Sequence, residues 1–233
     1  MLTRSTPQRR SVLRASNDDI GPRFAVGLDL GQVRDYTAAA VLERVPADPS
    51  GQEQTSADGS LPMYHLRHLE RYPLGTTYPE IVDDIEALLA EPPLTGRTRL
   101  IVDGTGVGVP VVNLFQARGL RPVPIWITAG ETTSCKGKIV RVPKRDLVAA
   151  LQVLLQSHRL KIARNVPERE ILVRELLAFR AKITTKANDT YEAWREGDHD
   201  DMVFALALAA WFFERTRTSR PPRLHVRVGE IRM

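Results

Sequence analysis

The sequence predicts an α/β domain with a mixed β-sheet, and three observations carry this prediction. Three strand-like segments come first, over 24–30, 37–45 and 63–72. Helical and strand-like segments then alternate through the middle of the chain, which closes on an unbroken apolar run over 202–213. A meander followed by alternating helices and strands is typical of a mixed sheet flanked by helices.

The individual elements follow from local patterns. Residues 46–62 are rich in Pro, Asp, Ser, Gly and Gln, which predicts a long loop. Helical spacing of apolar residues predicts a helix over 78–89, which two prolines end. The segments that follow are predicted in this order: a strand over 99–103, a helix over 110–118, a strand over 122–127, a polar and basic excursion over 130–142, helices over 144–156 and 168–177, and a strand pair over 178–195. The apolar run over 202–213 is predicted to be a buried final helix.

Positive charge is concentrated at the two ends of the 233-residue chain. Residues 1–23 carry five arginines against two aspartates, and residues 215–233 carry six arginines against one glutamate. The body between them is mildly acidic, although the whole chain has a formal charge of +5. We therefore expect a flexible basic arm over 1–21, one folded domain over 22–215 and a basic tail over 216–233. Such ends suit electrostatic tracking of nucleic acid, or are simply solvated tails.

Cysteine usage and hydropathy indicate a reducing compartment. The single cysteine, Cys135, excludes an internal disulfide and a cysteine-rich zinc site. The amino-terminal residues lack the apolar core of a secretory signal, and no apolar segment is long enough to span a bilayer. We expect a cytoplasmic protein without a membrane partner.

The segment Gly197-Asp198-His199-Asp200-Asp201 leads directly into the final helix. One aspartate is a favoured N-cap, and negative charge suits the positive end of the helix dipole. Several acids at one helix end repel each other unless a cation or a proton neutralises them. The segment alone therefore leaves helix capping and metal binding as open alternatives.

Two further aspartates end predicted strands, and each precedes a glycine turn. They are Asp29 and Asp103. Each alone is more often a turn former or a cap. In open α/β sheets, however, the carboxyl ends of the strands form the ligand site, so these two and the Asp200-Asp201 pair are expected to converge. Clustered carboxylates suit two divalent ions, and oxygen ligands without Cys or paired His favour Mg²⁺ or Mn²⁺.

Three motifs in this order resemble the nuclease domain of phage large terminase subunits, which has a ribonuclease H-like fold. They are Phe24–Leu30 with Asp35-Tyr-Thr-Ala38, Ile101-Val-Asp-Gly-Thr-Gly-Val-Gly108, and the Gly197–Asp201 segment. The resemblance covers about residues 22–215. It implies a two-metal-ion endodeoxyribonuclease that cuts concatemeric double-stranded viral DNA during genome packaging, in the cytoplasm of a bacterial host.

The resemblance also implies roles for individual residues. Asp29 and Asp103 match the first two catalytic, metal-binding carboxylates, and Asp201 or Asp200 the third, with Asp201 ranked first. His199 matches an auxiliary group. Many relatives carry a further aspartate where this chain has Phe204, so the third site falls to the Asp200-Asp201 pair.

Large terminases also carry an ATPase motor, but this sequence has no Gly-x4-Gly-Lys-Ser/Thr motif. The resemblance therefore makes a separate motor, a small terminase subunit and a portal the expected protein partners. The most concentrated basic patch in the body of the chain predicts contacts to DNA phosphates, or else a solvated loop that leads into a helix. It comprises Lys136, Lys138, Arg141, Lys144 and Arg145.

Three other functions stay open. A Holliday-junction-resolvase-like nuclease would use the same acids on branched DNA. The segments Val26–Gly31 and Asp103–Gly106 also resemble the phosphate loops of actin-like and sugar-kinase ATPases, although that fold generally needs two such domains. A non-catalytic DNA-binding module would keep the acids only as caps and turn formers.

Overall fold

The computed structural model describes residues 22–31, 35–45, 61–136, 139–185 and 200–218, and these ranges contain eight strands and five helices. The strands are β1 (Phe24–Asp29), β2 (Ala38–Val45), β3 (Met63–Arg71), β4 (Thr98–Asp103), β5 (Val123–Thr128), β6 (Ser134–Lys136), β7 (Ile139–Pro143) and β8 (Leu160–Ile162). The helices are α1 (Tyr78–Ala90), α2 (Gly108–Ala117), α3 (Lys144–Gln156), α4 (Arg169–Thr185) and α5 (Asp201–Thr218).

All eight strands form one mixed sheet in the order β6-β7-β5-β4-β1-β2-β3-β8. Strand β2 is antiparallel to both β1 and β3, whereas β1, β4, β5 and β7 run parallel to one another. The central order β3-β2-β1-β4-β5 with a reversed β2 is the ribonuclease H-like arrangement, so the predicted fold is confirmed. Because β3 also runs parallel to β1, the carboxyl ends of β1, β3, β4, β5 and β7 share one edge of the sheet.

Alternating residues of the central strands face two different helical layers. In β1, Phe24, Val26 and Leu28 pack in the cluster that includes α1 and α2, whereas Ala25 packs in the cluster that includes α3, α4 and α5. The same alternation places Asp29 on the α5 side. None of the described helices combines the length and the apolar character needed to cross a bilayer.

Helix α5 packs directly against β1 at Gly27, the one residue of that strand without a side chain. A Cβ atom on Gly27 would lie 1.9 Å from the carbonyl oxygen of Ala205 and 3.1 Å from the amide nitrogen of Ala209. The glycine thus lets two backbones touch, which fixes the position of α5 over the sheet. Since Asp201 is the first residue of α5, this contact also fixes the distance from Asp201 to the end of β1.

The other end of α5 is held by a buried ion pair. Glu214 accepts hydrogen bonds from Arg159 (Nη2–Oε2 2.8 Å) and from the hydroxyl of Tyr64 (2.7 Å). Both donors lie at the β3–β8 side of the sheet, so the helix is anchored at each end.

The structure corrects three predictions. The strand pair predicted over 178–195 is wrong over 178–185, because α4 continues as a helix to Thr185; residues 186–195 lie outside the described ranges. The predicted excursion over 130–142 contains the β6–β7 hairpin, and β8 was not predicted. Strands β6 and β8 are three-residue edge strands that gain their order from pairing with a neighbouring strand, and segments this short carry little pattern of their own. Most of the predicted loop, residues 46–60, lies outside the described ranges.

Candidate active site

Asp29 ends β1, and the backbone that follows it is fixed from two sides. The amide of Gly31 donates to Thr37 Oγ1 (3.0 Å), and the Tyr78 hydroxyl donates to the Gly31 carbonyl oxygen (2.9 Å). A Cβ atom on Gly31 would lie 2.2 Å from the carbonyl oxygen of Asp35, so only glycine fits this close approach. The loop after Asp29 is therefore tied to both β2 and α1.

Asp103 ends β4 and is only 7% exposed. Its Oδ1 atom accepts a hydrogen bond from the backbone amide of Thr105 (2.8 Å), which is the turn-forming role considered for such residues. A Cβ atom on Gly108, the first residue of α2, would lie 2.1 Å from the Asp103 carbonyl oxygen. The glycine turn thus lets α2 begin directly beside Asp103.

The third acidic group begins α5. Asp201 is its first residue and is 7% exposed, whereas Asp200 is half-buried. The carbonyl oxygen of Asp200 accepts the first helical hydrogen bond, from the amide of Phe204 (3.0 Å). Asp200 therefore occupies the cap position, and Asp201 projects from the first turn of a helix that is buried against the sheet. His199 lies outside the described residues.

The structure brings all four predicted acids to the same edge of the sheet. Burial is the largest cause that raises the pKa of Asp29 well above its ordinary value. The next causes are the negative charges of its neighbours, in decreasing order Asp103, Asp201 and Asp200, while Lys144 acts in the opposite direction. Carboxylates that raise one another's pKa lie in the same poorly solvated region of the protein. The convergence of four acids is more than a cap and two turns require.

Three neighbouring charged residues were not predicted as part of the site: Glu175, Asp35 and Arg71. Glu175, on α4, is a buried carboxylate whose pKa is raised to about 7 by burial and then by the charge of Asp201. Burial, the charge of Asp200 and then that of Asp35 raise the pKa of Asp201 to about 7, and Arg71 opposes this rise. Glu175 lies in the helix predicted over 168–177, but the local sequence pattern does not show that this helix packs beside the acids.

The predicted basic patch divides into two parts. Lys144 begins α3 at the site edge and lies over the Phe204 ring, with its Nζ atom 4.5 Å from the ring centroid. Lys136 and Arg141 are exposed on one face of the β6–β7 hairpin. Arg145 donates to the Glu131 carbonyl oxygen, so its guanidinium is engaged by a local loop. Lys138 lies outside the described residues. The role of these residues in binding DNA stays a prediction.

The raised pKa values predict how the stability of the metal-free protein depends on pH. Between about pH 5 and pH 7 the folded protein keeps protons on Asp201 and Glu175 that the unfolded chain has already released. The free energy of unfolding should therefore fall as pH rises through this window. Melting curves in EDTA should show a decrease on the order of a few °C. An increase over the same window would contradict the raised pKa values, and Mg²⁺ should reduce the decrease.

The chemistry of these side chains fits a hard divalent cation. The donors are carboxylate oxygens without sulfur, which are the ligands that Mg²⁺ and Mn²⁺ prefer. Within the described ranges, no three His, Cys, Asp or Glu side chains are already close enough to form a metal cage. Binding would therefore require the carboxylates to be drawn together.

Comparisons with known proteins give structural similarity only. No protein-family model and no curated protein sequence matches the chain. The structure is similar to the large terminase nuclease of thermophilic phage G20c, with 19% identity and a TM-score of 0.46 over 81% of each chain. A zinc-bound structure of that nuclease gives 21% identity and a TM-score of 0.45 over 81% of this chain and 80% of the other.

The manganese-soaked terminase nuclease domain of human cytomegalovirus has 13% identity and a TM-score of 0.48, over 88% of this chain and 89% of the other. With identities and TM-scores this low, the likeness does not assign an activity. The strand order shows a ribonuclease H-like fold, and the structural neighbours of this chain are nuclease domains of large terminases.

Proposed function

We propose that this chain is a metal-dependent endonuclease that cuts double-stranded DNA, and that it is the nuclease unit of a viral genome-packaging terminase. The convergence of Asp29, Asp103, Asp200 and Asp201 at the carboxyl edge of the sheet carries the proposal. Like charges in a poorly solvated site are costly to the fold, and the cost is offset when divalent cations bind. The resemblance of the three sequence motifs to large terminase nucleases is the reason for proposing double-stranded DNA as the substrate.

In this proposal Asp29, Asp103 and Asp201 would hold two Mg²⁺ or Mn²⁺ ions, with Asp200 as an alternative ligand. Such ions activate the attacking water and stabilise the leaving 3′ oxygen of a phosphodiester. The chain itself fixes the backbone that carries two of these carboxylates, through the turn at Asp103 and through the Gly31 loop after Asp29. The expected products carry 5′-phosphate and 3′-hydroxyl ends.

In this proposal, basic residues of the β6–β7 hairpin and of the start of α3 would position the DNA. Lys136 and Arg141 lie on the hairpin next to β5, and Lys144 begins α3 at the site edge. Contacts from these residues to phosphates would orient a duplex without reading its sequence. A separate ATPase motor, a small subunit and a portal would deliver the DNA during packaging.

Plasmid cleavage tests the proposal directly. Supercoiled and linear plasmid should be cut with Mg²⁺ or Mn²⁺ and left intact in EDTA, because the carboxylates alone cannot activate water. Asp103→Asn should reduce the cutting rate about 10³-fold, since it removes one ligand charge from the site. Gel analysis of nicked and linear products gives the rates.

A matched control is Asp83→Asn, which changes an exposed aspartate on α1 that pairs with Arg118. This variant should cut like the wild type. If the wild type does not cut and Mg²⁺ does not raise its melting temperature, the proposal is wrong. Preferential cutting of a four-way junction over linear duplex would instead favour a resolvase-like activity.

A further inference from the structure

Arg71 is a charged residue at the site edge that neither the motifs nor the proposed metal ligands include. It ends β3, whose carboxyl end lies at the same edge as Asp29. Its guanidinium carbon lies 4.5 Å from the centroid of the Tyr36 ring, and its Nη1 atom lies 3.6 Å from Glu175 Oε1. The side chain is 19% exposed, so it is held in place and still reachable from solvent.

In the described part of the chain, the N–H groups of the Arg71 guanidinium make no short hydrogen bond. A guanidinium has five N–H donors, and a separation of 3.6 Å is too long for a hydrogen bond. Among the described residues, the contacts of the Arg71 guanidinium are the long ion pair with Glu175 and the ring of Tyr36. By contrast, Arg67 on the same strand donates to Glu43 at 2.6 Å, and Arg159 donates to Glu214 at 2.8 Å. The guanidinium of Arg71 is thus held in one orientation, and its N–H groups can still donate hydrogen bonds to a ligand.

The charge of Arg71 acts on the acidic cluster, since it opposes the rise in the pKa of Asp201. In the proposed function, divalent cations occupy the Asp201 carboxylate, so it is not the natural partner of this guanidinium. The other anion that enters such a site is the phosphate of the DNA. A planar guanidinium matches two phosphate oxygens at once, which an ammonium group does not.

We propose that Arg71 is a further catalytic residue, whose guanidinium donates hydrogen bonds to the non-bridging oxygens of the phosphate that is cut. Glu175 and Tyr36 are positioning residues that hold the guanidinium at the site edge. This inference rests on the proposed nuclease function. It adds a protein-borne positive charge on the phosphate to the charge supplied by the metal ions.

The test uses Arg71→Gln and the double variant Arg71→Gln/Glu175→Gln in the full chain. The single variant leaves buried Glu175 without its counter-charge and is expected to be less stable. The double variant replaces both charges with neutral amides and should keep the fold, as checked by its melting temperature. Arg67→Gln is the matched control, because it removes an arginine from the same strand on the side remote from the acids.

If Arg71 contacts the phosphate, kcat should fall about 10²- to 10³-fold in the single variant and equally in the double variant. If Arg71 only neutralises Glu175, the double variant should cut at the wild-type rate, which would overturn the proposal. Arg71→Lys should recover only part of the lost rate, because an ammonium group lacks the planar fork. Arg67→Gln should cut normally.

A binding measurement in EDTA keeps this inference separate from the proposed function. Fluorescence anisotropy with a labelled duplex of about 20 base pairs gives the dissociation constant over a range of salt concentrations. The double variant should bind more weakly than Arg67→Gln, with a salt slope lower by about 1, because one phosphate contact is lost. If the wild type does not cut DNA, this comparison alone decides the role of Arg71, and unchanged binding would overturn it.

Discussion

Asp29→Asn is expected to lower the rate of DNA cutting at least about 10³-fold. The same change is expected to raise the melting temperature of the metal-free protein. Both effects have one cause. Burial, and then repulsion by the charges of three other acids, raise the pKa of Asp29 and make its charged form costly near neutral pH. A neutral amide of the same size removes this repulsion, and it also removes the charge that would hold a metal ion.

The dependence on pH makes this prediction specific. At about pH 8 the variant should melt at a higher temperature than the wild type, because the unfolded wild-type chain has released the Asp29 proton that the raised pKa favours in the folded protein. Near pH 4 the gain should disappear, since Asp29 then keeps its proton in the wild-type fold. The rise in melting temperature that Mg²⁺ gives the wild type should be much smaller in Asp29→Asn. Normal cutting, or a lower melting temperature at pH 8, would contradict the assignment of Asp29.

The sequence predicted the acids of the site because each follows a strong local pattern. Asp29 and Asp103 end apolar strands and precede glycine turns, and the shared edge of parallel strands then brings them together. Asp201 was found because an unmistakable buried helix begins there. In each case one short segment holds both the functional group and the structure that places it.

Glu175 and Arg71 could not be found in this way, because their place in the site depends on pairing between distant segments. Arg71 lies at the edge of the sheet that carries the acids because β2 reverses the chain and β3 then runs parallel to β1. Glu175 lies in the part of α4 that was predicted as helix, but the sequence does not show where this helix packs relative to the acids. The prediction missed short edge strands such as β8 for the same reason, because their order comes from the neighbouring strand rather than from their own residues.

Gly27→Ala is expected to be the most destabilising single-methyl substitution in the described part of the sheet. The new Cβ would lie 1.9 Å from the carbonyl oxygen of Ala205, so β1 and α5 must move apart. Because the clash is with backbone, no side chain can rotate away to relieve it. We expect a loss of about 3 kcal/mol or more in the free energy of unfolding, at the upper end for overpacked cores. Urea denaturation followed by circular dichroism measures it.

The same substitution should impair the site more than the loss of stability alone explains. Displacing α5 moves Asp201 away from Asp29, so the stabilisation by Mg²⁺ should weaken even where the variant is still folded. Gly130→Ala is the matched control, because its Cβ would meet only Thr128 Oγ1, at 3.5 Å. If Gly27→Ala unfolded at the same urea concentration as Gly130→Ala, α5 would not lie against β1 as the structure places it. This backbone contact sets how closely α5, with Asp201 at its start, approaches the strand that ends at Asp29, so a methyl group there tests both the fold and the site.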